Sequence, residues 1–341
     1  MRLLIISLFT LIFNTSVFSQ GCCSGAAGSP IAGGAATGVL QENQMEISIN
    51  YQNNSSNKFF AEHRDTTSLL TNSINSDYLF FRVDYGLSKK FTLSLASGYF
   101  LDKSKIGKDN ADNISSNGIG DLIIFPRYSI YNKTANFKRT AVVIGLGLKI
   151  PLGAHNDSSV TTPAYSDSPS WPPNDVYQMN PPMLQSTNGS NDFMFTSFFF
   201  REYQKSKLRF FISSLYAKKG FNSLGIKYGD YTSVSFFASK TLFYRWGVTT
   251  QIKAEKIDQI QSADNMDIEA FYNISPKSTG SKKWFFIPQI SYSKNGMTCF
   301  VTSEVPLYQY LNGTQIGSQY QFTVGVNYRF LTKKCEDPTL N

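Results

Sequence analysis

Residue types that catalyse reactions are scarce in this chain. Its histidines are His63 and His155, and neither lies in a GxSxG or HExxH arrangement where a nucleophile or metal-bound water is activated. The cysteines are Cys22, Cys23, Cys299 and Cys335. The adjacent pair Cys22–Cys23 lacks the second pair that a zinc site needs, and the spacing leaves any disulfide pairing open. The glycines of GIGD (118–121) and GLGLK (145–149) sit inside strand-like runs with no helix following, which argues against a phosphate-binding loop. The expectation is a protein with no enzymatic activity, no cofactor and no metal.

What remains is a set of charges at alternate positions of otherwise apolar segments. Arg82, Asp84, Asp121, Arg127, Lys149, Arg245, Glu255, Glu304 and Arg329 all fall opposite the greasy positions of their runs. If those greasy positions face lipid, the charges must face inward, because a charge at the bilayer midplane costs roughly 2–4 kcal/mol. Such charges line a solute path, or they form salt bridges that hold a filled interior together. Asp121 follows Gly118 and Gly120, which leave space around it, and Arg127 and Lys149 are its candidate partners.

The elements that carry these charges repeat with period two. Met45, Ile47, Ile49 and Tyr51 alternate with Glu46, Ser48 and Asn50, and the same period recurs in Leu79–Tyr85, Phe91–Tyr99, Val142–Ile150 and Trp246–Ile252, where the second face is mostly small or polar but includes Phe80 and Val143. Further strands are expected near 119–130, 192–203, 209–218, 232–241, 284–293, 297–306 and 319–331. Segments of about ten residues, apolar on one face and small or polar on the other, mark a transmembrane β-barrel.

Composition agrees. Aromatic residues make up 15% and charged residues only 16%, against about 25% charged in an ordinary soluble domain. No run of 18 apolar residues follows the N-terminus, so no membrane helix is expected there.

Loop lengths alternate as well. GLSKK (86–90), YNKTANFKR (131–139), YQKSK (203–207), LFY (242–244) and SKNG (293–296) are short. The intervening segments 52–76, 101–117, 152–191, 218–231, 254–283 and 306–318 are long. Short periplasmic turns and long outer loops are the habit of outer-membrane barrels. The predicted fold is therefore all-β: an antiparallel up-and-down transmembrane barrel of about 12 strands, with 14 as the alternative count. Residues 266–274 also alternate, but a thirteenth strand would put the termini on opposite sides, so they are assigned to an outer loop.

MRLLIISLFTLIFNTSVFS (1–19) has the Arg2 n-region, the apolar Leu3–Phe13 run and the short residues of a secretory signal peptide. The segment 20–43 is then a periplasmic N-terminal stretch, a small plug at most. The barrel is expected to occupy 44–331, and 332–341 to be a periplasmic tail. Cys22 lacks the aliphatic residue expected three positions before a lipidated cysteine. The formal charge of +8 is spread without a dense basic run, and in an exported protein no nucleic-acid partner is expected.

TVGVNYRF (323–330) is the last regular strand. Its polar–Gly–aromatic–aromatic pattern at Thr323, Gly325, Tyr328 and Phe330 resembles the C-terminal signal read by the machinery that inserts outer-membrane barrels. GIGDLIIFPRYSIY (118–131), GLGLKIPLGAHNDSS (145–159) and PLYQYLNGTQIG (306–317) resemble segments of the MetA-pathway-of-phenol-degradation family, a set of barrels similar at a distance to FadL-type transporters. That resemblance implies an outer-membrane channel for small hydrophobic or aromatic solutes, surrounded by outer-membrane lipid. The alternative is a non-transporting surface barrel whose loops bind a partner. The Pro-rich loop 152–191 carries Tyr165, Trp171 and Tyr177 as candidate solute contacts, either as a lid over the mouth or as a plain surface loop.

Overall fold

The computed structural model describes residues 38–68, 71–108, 113–161, 176–264, 266–269 and 275–333. Twelve long strands form the wall: β1 (Gln44–Ser56), β2 (Thr71–Ser88), β3 (Phe91–Gly107), β4 (Asp121–Ala135), β5 (Lys138–Pro151), β6 (Asp192–Tyr203), β7 (Leu208–Lys218), β8 (Tyr231–Leu242), β9 (Trp246–Ile257), β10 (Ser281–Lys294), β11 (Met297–Ile316) and β12 (Tyr320–Leu331). Each pairs antiparallel with its sequence neighbours, and β1 pairs with β12 from Gln44↔Leu331 to Ser55↔Tyr320. The sheet is closed, so no strand edge presents unpaired backbone to lipid. Among the described residues no helix is long and apolar enough to cross a membrane; the strands do so.

The period-two pattern sorts the side chains. Ile49, Phe81, Leu95, Leu146, Phe195 and Phe236 point outward and are exposed. Their sequence neighbours Asn50, Arg82, Ser94, Gly145, Thr196 and Ser235 point inward and are buried. An apolar outer wall on a closed barrel belongs in an outer membrane.

One end of the barrel is tightly turned. Asn136 and Phe137 have φ of 49° and 58°, and Phe243 and Tyr244 have 45° and 62°. Two consecutive left-handed residues make the hairpin turn whose twist matches the flanking strands. The expected turn 131–139 therefore shrinks to Asn136–Phe137, because strand pairing continues to Ala135↔Lys138.

The other end carries the long loops, with one correction. Residues 306–318 were expected to be a loop, but β11 continues to Ile316 and leaves only 317–319 as the connection. Proline and glycine, here Pro306 and Gly313, usually interrupt a strand. Pro306 instead sits beside the register shift at Trp284/Phe285, and Gly313 takes φ +65°. Beyond the wall β11 pairs with a short strand, Phe59–Glu62, which satisfies its backbone there. Residues 266–269 lie in the connection between β9 and β10 and form no wall strand; 265 and 270–274 fall outside the described residues.

Candidate functional site: the barrel interior

Inward charges form three groups, each assembled from several strands. Near the turn end, Asp84 on β2 forms an ion pair with Arg82 Nε at 2.8 Å and accepts from an Arg127 guanidinium nitrogen on β4 at 2.8 Å. Ser94 on β3 also donates to Asp84. Arg82 approaches Glu46 of β1 at 3.4 Å, and Arg329 Nε of β12 donates to the other Glu46 oxygen at 2.7 Å. Closure of the sheet between β12 and β1 is what brings Arg329 into this group. Arg127 also donates to the Gly38 carbonyl at 3.1 Å. The Leu40 amide donates to Thr92 Oγ1 at 2.8 Å, and Val39 packs on Val143, Phe198 and Phe211. Residues 38–40 are thus folded into the turn end of the barrel.

At the loop end, Lys149 of β5 bridges Asp121 of β4 at 2.6 Å and Asp192 of β6 at 3.0 Å. Lys219, just past β7, reaches Asp192 at 2.8 Å. Burial, with Lys149 close by, holds the Lys219 ammonium below its usual range, while Asp192 opposes that shift. The third group joins β9 and β11: Lys253 contacts Glu304 at 2.7 Å and Glu255 at 3.3 Å, and the Tyr231 hydroxyl of β8 donates to Glu255 at 3.2 Å.

The structure therefore divides the expected single ladder. Asp121 pairs with Lys149 and not with Arg127. The two lie six residues apart on one strand, roughly 20 Å at strand rise, and Arg127 belongs to the Asp84 group. Arg245 is a correction: it is exposed in the turn between β8 and β9 and donates to the Tyr292 hydroxyl at 3.3 Å. Its apparent alternation with Trp246 fails because the hairpin reverses at 243–245.

Glu46, Lys103, Asp192, Lys219 and Lys253 are interior charges beyond the expected set. Alternation already places Glu46 beside Ile47 and Lys253 beside Ile252. Lys103 and Lys219 lie at strand ends, where the pattern fades.

The interior also has an apolar side. Tyr78, Phe80, Phe100, Ile123, Phe125 and Met194 pack together inside β2–β6. Phe198, Phe211 and Phe237 make a second cluster closer to the turns. Gly145 and Gly147 face inward beneath the Phe125 ring, where a Cβ would fall 2.6–2.7 Å from ring carbons. The glycines of GLGLK thus allow a close approach of Phe125 to β5.

Part of loop 152–191 folds against the loop end of the barrel. Pro182–Leu184 form a single turn of 3-10 helix, with Met183 and Leu184 buried. Lys103 Nζ donates to the Gln185 carbonyl at 2.7 Å, Ser186 Oγ to Asn117 O at 3.2 Å, and Thr187 Oγ1 to Gly153 O at 3.1 Å. Beneath this cap lies a cavity of about 140 Å³, walled by Phe100, Ile123, Met194 and Leu215 with Asp121, Lys149 and Lys219. A second cavity, of about 270 Å³, lies at the turn end between Val39, Phe198, Phe211 and Arg329. A third, polar and about 540 Å³, lies beside Ser239, Thr249, Gln289 and Asn327. Tyr165 and Trp171 fall outside the described residues. Tyr177 lies in the strand Val176–Met179, which pairs with Ser158–Thr161 beyond the wall.

No family model matches the sequence, and no curated protein matches it. Solved structures do resemble it. The COG4313 outer membrane channel from Pseudomonas putida F1 aligns over 87% of this chain and 99% of its own, at 9% identity and a TM-score of 0.63. The NanC porin aligns over 83% and 98% at 10% identity and 0.42. A Pseudomonas aeruginosa FadL homologue aligns over 84% and 90% at 8% identity and 0.39. The first of these has the same fold as this chain.

Proposed function

We propose that this barrel is an outer-membrane channel for small hydrophobic or aromatic solutes, with the long loops outside the cell and the turns in the periplasm. The observation that carries the reading is the apolar inward face. Water-filled porins have polar interiors, whereas here Phe100, Ile123, Phe125, Met194, Phe198 and Phe211 point inward along one side. They run from the capped cavity to the turn-end cavity. An apolar pocket edged by a few polar groups is the usual form of a small-molecule site, and Asp121 with Lys149 supplies that edge here. The resemblance to the MetA-pathway family and the shared fold with an outer membrane channel point the same way.

The test is binding and flux. Purified barrel is titrated with an apolar fluorescent aromatic probe, and vesicles containing it are assayed for probe entry. Phe125→Asn and Phe198→Asn should each weaken probe binding several-fold while leaving the heat-modifiable folded form intact. A barrel that neither binds nor passes any apolar solute would overturn this reading.

A second reading has its own support. The segment 182–187 and the packed Val39–Leu40 occupy part of each end, which fits a surface barrel that does not transport. Loops that capture a macromolecule, together with zero flux, would establish it.

A further inference from the structure

The outer wall carries a charge asymmetry independent of the interior. Across β4 to β8, cross-strand pairing sets Tyr131, Val142, Phe199, Ile212 and Phe236 in one outward apolar row. Two residues further toward the turns, the outward row reads Lys133, Thr140, Arg201, Phe210 and Ala238. The row after that includes Lys138, Tyr203, Leu208 and Lys240.

Four cations, Lys133, Lys138, Arg201 and Lys240, therefore stand among the outward residues of the two rows nearest the turns. Strands β4 to β8 contain three acidic residues, Asp121, Asp192 and Glu202. All three are engaged by inward-side cations: Lys149, Lys219 and Arg209. Among the described residues no carboxylate pairs with Lys133, Lys138, Arg201 or Lys240.

On the rest of the ring the outward positions near the turns are Trp246, Ile290, Tyr292, Lys294, Met297, Tyr328, Ile47 and Tyr85, which are apolar or aromatic apart from the single cation Lys294. The basic patch thus occupies one arc. It is also held in shape: Arg201 donates to Thr140 Oγ1 at 2.5 Å, and Lys138 and Arg201 both lie 5.7 Å from the Tyr203 ring centroid. Lys133 and Arg201 flank Thr140 on neighbouring strands, so their backbones are about 10 Å apart.

We propose that this arc binds the anionic phosphodiester headgroups of phospholipids in the leaflet on the turn side. The position fits, because the acyl chains cover the apolar row and the phosphates then lie level with the cations. The charge fits, because among the described residues no carboxylate pairs with these four outward cations. Each cation near an anionic headgroup layer is worth about fivefold in local lipid partition. The apolar arc supplies an internal comparison.

The experiment uses the full chain folded in phosphatidylcholine vesicles. Its three tryptophans, Trp171, Trp246 and Trp284, are replaced by Phe, and a reporter is placed by Tyr203→Trp or, on the apolar arc, by Tyr85→Trp. Each is titrated with brominated phosphatidylglycerol and, separately, brominated phosphatidylcholine.

The expected result is at least fivefold stronger quenching per mole fraction by phosphatidylglycerol at position 203. A clearly smaller preference is expected at position 85, where the cations nearby in the chain are Lys89 and Lys90 of the β2–β3 turn. Lys133→Gln, Lys138→Gln, Arg201→Gln and Lys240→Gln together should abolish the preference at 203. If that variant does not fold, the comparison of the two reporter positions still decides. Equal quenching by both lipids at 203 overturns the proposal, as does equal preference at both positions. Capture of an acidic peptide by the wild-type arc without any lipid preference would likewise overturn it and assign the surface to a soluble partner.

Discussion

Replacing Asp84 tests whether the turn-end charge group is structural. Asp84 is 1% exposed and is shared by two guanidiniums, each at 2.8 Å. Three cations of that group, Arg82, Arg127 and Arg329, face two carboxylates, Asp84 and Glu46. Without the Asp84 charge they face one. Breaking a buried pair by removing one partner costs about 3–5 kcal/mol, since the other charge stays buried and uncompensated.

Asp84→Asn keeps one carbonyl acceptor and falls at the low end, about 3 kcal/mol. With a urea dependence of roughly 2 kcal/mol/M, the unfolding midpoint should drop by about 1.5 M. The assay is urea titration of barrel folded into vesicles, read by the heat-modifiable band and by tryptophan emission. Glu202→Gln is the control, because its partner Arg209 at 3.3 Å is a third exposed and such pairs contribute about 0–1 kcal/mol. Adding Arg127→Gln to Asp84→Asn should recover part of the loss. A midpoint shift no larger than that of Glu202→Gln would refute the reasoning: the group would then be solvated by water in an open path rather than locked in a filled interior.

Gly325→Val should lower the yield of folded barrel, because the new side chain meets the Phe300 ring and Asn50, and overpacking of this kind costs about 1–3 kcal/mol; Phe300→Ala should restore it. Tyr328→Ala with Phe330→Ala should also reduce the heat-modifiable form in membranes if the last strand carries the insertion signal; unchanged assembly would remove that role. Leu184→Ala removes a fully buried cap residue, and single-channel recording should show more frequent opening to small solutes if the cap gates the mouth. An epitope near residue 170 should be labelled on intact cells, whereas one at 340 should require permeabilisation; the reverse pattern would invert the barrel.

The wall was legible in the sequence because its cause is local. Strand side chains alternate with period two, and a lipid-facing charge is expensive, so Ile47, Phe81 and Val326 declare one face while Glu46, Arg82 and Asn327 declare the other. Loop parity added the antiparallel meander. Where local cues mislead, the reading failed. Pro306 and Gly313 look like breakers, yet β11 runs through them, because the partner strand at Phe59–Glu62 lies some 250 residues away in the chain and no local pattern announces it.

The interior was decided by the tertiary structure. Alternation states that Asp121, Arg127 and Lys149 point inward; strand stagger and barrel closure determine which of them meet. Closure puts Arg329 beside Glu46 across 283 residues, and the pairing of β5 with both β4 and β6 puts Lys149 between Asp121 and Asp192. The packing of the apolar inner face was hidden for the same reason. Alternation with Leu79 and Phe81 already places Phe80 on the inward face, but that it packs with Phe100, Ile123 and Phe125 depends on which strands become neighbours. Period two sorts residues between two faces, and contact across a lumen depends on distances that no single strand contains.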